Sequence, residues 1–97
     1  MSKFDQAKML MQARKLQKEL QREVITVEAG EGVVKVEITG EQKIRKISLD
    51  PEGIDLDDIG QLEGWLEEAV KEAIVQSQKL AAEKMQPLMG SLGNLGL

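Results

Sequence analysis

The chain has no cysteine, no histidine and no tyrosine among its 97 residues, and only one tryptophan, one phenylalanine and two prolines. Without cysteine there is no disulfide framework and no thiolate ligand, which excludes thiol redox chemistry and fits a reducing compartment. Without histidine and tyrosine, the usual general base near neutral pH and the usual phenolic acid are missing. A catalyst would have to work with carboxylates, lysines and unpaired serines, and neither a glycine-rich phosphate loop nor metal-ligand spacing accompanies them. An enzyme is not expected, and no cofactor, metal or small-molecule substrate is implied. Long apolar runs are absent too: none approaches the roughly 18 residues of a membrane span, and the charged N-terminus has no signal-peptide core. The expectation is a cytoplasmic protein without membrane contact.

What is there suits one small soluble domain covering 1–97, with an apolar fraction of 41%. The net charge of −4 is unevenly spread: residues 1–49 hold ten basic against seven acidic groups, net +3, and residues 50–97 hold three against ten, net −7. The acidic total argues against indiscriminate phosphate binding but leaves room for a basic surface on the first half.

Residues 1–24 read as an amphipathic helix. Met9, Ala13, Leu16 and Leu20 recur at 4-3-4 spacing and form a stripe about 60° wide at 100° per residue. Lys8, Lys15, Lys18 and Arg22 gather on the opposite side, with Arg14 flanking them. Phe4 and Met11 lie on that basic side, either as ordinary exposed apolar residues or as a second contact surface.

Residues 25–49 read as three short strands. Ile25 and Val27 alternate with Thr26 and Glu28, and Gly30-Glu31-Gly32 turns the chain. Val34, Val36 and Ile38 alternate with Lys35, Glu37 and Thr39. A turn at Thr39-Gly40-Glu41-Gln42, with a residue free for positive φ, returns the chain through Ile44, Ile47 and Leu49. Alternation fails once, near Arg45-Lys46, which calls for a bulge. Short connections favour an antiparallel meander in sequence order, closed by Asp50-Pro51.

Nine acids lie between Asp50 and Glu72, with Lys71 the one base among them. Asp55, Asp57 and Asp58 suit a helix N-terminus; they lack the glycine and distal glutamate of a calcium loop, so capping is the stronger reading. A second helix spans 55–86 on the stripe Ile59, Leu62, Leu66, Ala69, Val70, Ala73, Ile74, Ser77, Leu80 and Ala81, with Gly60 and Gly64 expected to split off a short first piece. Pro87 is expected to stop it, leaving 87–97 as a disordered Leu/Gly tail.

Helices of about 22 and 28 residues span roughly 33 and 42 Å, against about 23 Å for a seven-residue strand. Their apolar stripes outrun the sheet, so a second copy is the economical way to finish the burial.

The first helix, Met9-Leu10-Met11-Gln12-Ala13-Arg14-Lys15-Leu16-Gln17-Lys18-Glu19-Leu20, and above all the central VVKVEITGEQKIRKISLDP, resemble the YbaB/EbfC family of nucleoid-associated proteins over nearly the whole length. The resemblance implies an α+β fold: a homodimer of α-β-β-β-α protomers, each a three-stranded antiparallel meander flanked by two long helices, with helical arms projecting like tweezers. It also implies a partner, double-stranded DNA, and a place in the nucleoid, organising it or affecting gene expression. Charge placement supplies the candidate contacts: Lys8, Arg14, Lys15, Lys18 and Arg22, facing phosphates with low sequence specificity. Phe4 and Trp65 are too few for base stacking. The alternative is a dimeric interaction or scaffold protein whose basic face pairs with an acidic protein surface, without direct DNA binding.

Overall fold

The computed structural model describes residues 3–93, and side chains as far as residue 88. The order is α1 (Lys3–Arg22), β1 (Val24–Ala29), β2 (Val34–Thr39), β3 (Ile44–Leu49), a 3-10 turn (Pro51–Gly53) and α2 (Ile59–Gly93). This is the expected α-β-β-β-α, α+β arrangement. The strands form one antiparallel sheet in the order β1-β2-β3.

Alternation decides which face is buried. Val27 and Ala29 of β1 and Val34, Val36 and Ile38 of β2 turn to one side and are buried against Ala69 and Ala73 of α2. Leu62, Trp65, Leu66 and Val70 pack around them. The opposite face is polar, with Lys35 reaching Glu28 at 3.6 Å and Glu37 paired to Thr26 and Lys46. On the second hairpin Glu37 pairs with Lys46 but Ile38 with Ile44, so Arg45 is the extra residue of a bulge. The bulge falls where alternation failed in the sequence.

The β2–β3 turn is held by α2. Ser77, fully buried, donates its hydroxyl to the Thr39 carbonyl at 2.7 Å and accepts the Gln42 N–H at 3.1 Å. The positive φ of that turn belongs to Gln42 (65°) and not to Gly40. Gly40 serves a different need: a Cβ there would lie 2.8 Å from Leu20 Cδ2 and 3.0 Å from the Leu20 carbonyl oxygen. Its N–H donates to that carbonyl at 2.9 Å, satisfying an end-of-helix acceptor and fixing the end of α1 to the sheet.

The second helix departs from expectation at both ends. It begins at Ile59 and not at 55: Asp55 Oδ1 accepts the Asp57 N–H at 2.9 Å in a turn, and Asp58 Oδ1 caps the helix through the Gln61 N–H at 3.3 Å. The aspartates therefore cap and turn the chain. Gly60 and Gly64 do not break it. Both face open space, with nothing nearer to a built Cβ than Asp58 Oδ1 at 3.7 Å from that of Gly60, so their cost is one of propensity alone. Nor does Pro87 stop it, since α2 continues to Gly93 with the proline inside. Proline's fixed φ is helical; what is lost is one N–H bond, to the Glu83 carbonyl, and room beside the preceding turn. Pro87 and Leu88 border the same cleft as Leu16 of α1, so the continued helix runs beside its neighbour. The last part of the expected disordered tail, 94–97, lies outside the described residues.

Candidate nucleic-acid interface

The arm is built from two helices anchored at one end. α1 leaves the sheet at Gly40, where Leu20 is buried, and Met9 and Leu16 are half-buried further out, so the stripe read from the sequence is the side withdrawn from water; Ala13 within it stays exposed. Leu16, Pro87 and Leu88 line the seam with α2, along with Gln12, Lys15, Glu19 and Lys84, in a cleft of about 240 Å³. Nearer the sheet Lys84 Nζ approaches Glu23 Oε1 to 3.7 Å, an ion pair joining α2 to the junction between α1 and β1.

All five candidate cations, Lys8, Arg14, Lys15, Lys18 and Arg22, lie on α1 and are exposed. None forms an ion pair with another described residue. Lys8, Lys15, Lys18 and Arg22 follow one another along one side of the helix, with Arg14 to its flank. Lys15 also borders the seam with α2, so it stands at the edge of the basic face and not at its centre. Phe4 and Met11 on the same side are 80% and 70% exposed, uncovered in the protomer.

Arg22 is different from the other four. At the base of the arm it shares a depression of about 660 Å³ with Lys43 and Arg45 from the second hairpin, walled by Gln21, Thr39, Glu41 and Ile44. Sequence reasoning did not bring Lys43 and Arg45 to this site. The available signal was the break in alternation: a bulge re-aims a side chain, and Arg45 is the bulged residue.

The acids of residues 50–97 divide between the segment before α2 and α2 itself, where Glu63, Glu67, Glu68 and Glu72 are exposed. There the Lys71 ammonium donates to Glu67 Oε1 at 2.6 Å, and that hydrogen bond, with the attraction of the charge, holds the Glu67 carboxyl below its ordinary range. Among the described residues no acidic cluster is arranged to hold a metal ion, and no helix is long and apolar enough to cross a membrane.

The described residues form an α-β-β-β-α core bearing a two-helix arm, and the α1 cations on it have no ion-pair partner among them. The chain belongs to the YbaB/EbfC DNA-binding family, whose profile matches residues 1–92. It is 41% identical to a nucleoid-associated protein of Desulforamulus reducens over 97 aligned positions, covering 93% of this chain and 92% of the relative. It is 37% identical to a nucleoid-associated protein of Chloroflexus aurantiacus, covering 90% and 87%. Among solved structures, an uncharacterized protein from Helicobacter pylori superposes with a TM-score of 0.69 over 91% of this chain and 88% of that one, at 18% identity, a likeness of fold.

Proposed function

We propose that the protein is a nucleoid-associated DNA-binding protein that holds duplex DNA through its phosphates, using Lys8, Arg14, Lys15, Lys18 and Arg22 of α1, with low sequence specificity. It acts as a binder and not a catalyst, in the nucleoid of the cytoplasm. The observation that carries the reading is the state of these cations: exposed, without ion-pair partners among the described residues, and aligned on an arm that leaves the core. Cations already neutralised within the chain would gain little from phosphate, whereas these lose nothing on meeting it. Family membership supports DNA as the polyanion. The protein works as a homodimer, which places two such arms on one body.

Replacing Lys15 and Lys18 together by glutamate tests this. Binding to unrelated duplex sequences should weaken alike, because phosphate contacts position a protein without reading bases. The wild-type log affinity should fall with log salt at roughly −0.9 per phosphate neutralised, and the double variant should flatten that slope. Stability should change by no more than about 0.5 kcal/mol, as at other exposed positions. Unchanged affinity and slope in the folded variant would reject this face. Failure of the wild type to bind duplex DNA even at low salt would favour a scaffold in which α1 meets an acidic protein surface such as α2 of another copy.

A further inference from the structure

We propose that the phosphate-binding surface continues past the end of α1 into the depression at its base, where Arg22 and Arg45 together grip a backbone phosphate of duplex DNA. The inference rests on the reading of α1 as a DNA-contacting face and adds a site that turns from the helix onto the sheet. Three cations, Arg22 of α1, Lys43 of the β2–β3 turn and Arg45 of β3, line it. The one carboxylate on the wall, Glu41, lies 3.4 Å from Lys43 and is accounted for by it. Arg22 and Arg45 have no ion-pair partner among the described residues.

The site is built rather than fortuitous. The Gly40 N–H bonds to the Leu20 and Glu23 carbonyls at 2.9 and 3.1 Å tie the end of α1 to the hairpin, and Ser77 clamps the same turn from beneath. Arg22 and Arg45 are therefore presented from backbones fixed relative to each other. Arg22 has a local role as well, since a cation favours the last turn of a helix. No such role exists for Arg45. A regular ladder would leave it no place, and the bulge gives the β2–β3 pair one residue more than pairing needs. Guanidinium groups present planar forks that match phosphate oxygens two at a time, which a lysine cannot copy.

The test is duplex-DNA binding by the full chain at several salt concentrations, for the wild type, R45A, R45K and K46A, with sedimentation of each. Arg45 is exposed, so R45A should keep the wild-type circular dichroism and tryptophan emission. R45A should lower affinity roughly eightfold at 0.1 M salt for each depression engaged and flatten the slope by about 0.9, the value for one phosphate. R45K should keep the slope and lose part of the affinity. Lys46, paired with Glu37 on the polar face, should matter less. The proposal falls if R45A binds with wild-type affinity and slope, if R45K binds as tightly as the wild type, or if K46A loses as much as R45A, which would make net charge the cause. It falls also if R45A alters sedimentation but not DNA affinity, which would assign Arg45 to a contact between copies. A wild type that fails to bind duplex DNA at any salt would remove the α1 reading along with it, a result distinct from all of these.

Discussion

A Cβ on Gly30 would lie 2.5 Å from the Trp65 ring, and Gly30 holds φ +62°, so two independent constraints exclude a larger residue there. Gly30→Ala should cost about 2–4 kcal/mol, combining the left-handed backbone with displacement of the ring. Urea unfolding measures the loss. Emission from Trp65, the one tryptophan, should shift to the red as the ring moves toward water. The turn at Gly30-Glu31-Gly32 is legible in the sequence, because glycine spacing between alternating runs is a local signal. The indole against it is not, because Trp65 lies 35 positions away and only the packing of α2 brings the two together. Gly40 makes the same point: its letter marks a turn, yet the positive φ falls on Gln42, and the glycine is needed for the close approach of Leu20.

Elements were legible where one periodicity ran without competition. α1, the three strands, their antiparallel order and the bulge at Arg45 all follow from period 3.6, period 2 and a single slip of phase. The far end of α2 was not legible, because proline's helix-breaking tendency is local while the packing that opposes it comes from α1. Leu16, Pro87 and Leu88 line one cleft, which no window of sequence contains. The five α1 cations could be proposed together because they share one helix, whereas Arg45 could not, since it neighbours Arg22 only through the tertiary fold. The seam has a consequence for truncation. Removing residues 87–97 should leave the sheet and its α2 cover intact, because the buried cluster ends at Ala73 and the Ser77 clamp lies just beyond it. It should loosen the part of α1 that borders Pro87 and Leu88. Hydrogen exchange should rise for α1 around residues 12–19 while the β2 amides keep their protection, and equal protection throughout would show the seam to contribute nothing.

The single chain is extended and open. Its extents are 65 × 23 × 15 Å and its radius of gyration is 18.8 Å, against about 12.5 Å for a compact chain of this length. Its accessible surface is 7273 Å², where a folded monomer of 10.7 kDa would show about 5,500 Å². Part of the excess is the arm, and part has a definite place. Ile44, Ile47 and Leu49 stand opposite Ile38, Val36 and Val34, so they point to the same face as the core. The β2 residues are fully buried, whereas those of β3 are 46%, 45% and 44% exposed, because α2 covers β1 and β2 only. The bulge at Arg45 brings Ile44 back onto the face of Ile47 and Leu49, an apolar surface that one copy leaves in water. A second copy laid against Ile47 and Leu49 is the cover proposed here, which leaves the depression beside Ile44 and Arg45 open. Ile47→Lys places a charge in that contact. Since Ile47 is already half in water within the protomer, the charge should be tolerated by an isolated copy but not at a dry interface. Sedimentation should move from a dimer to a species near 10.7 kDa while circular dichroism keeps its helix and sheet content, and DNA affinity should fall because each body then carries one arm. A variant that remains dimeric would place the contact elsewhere, on the arms, and a wild type that sediments as a monomer at micromolar concentration would remove the dimer itself.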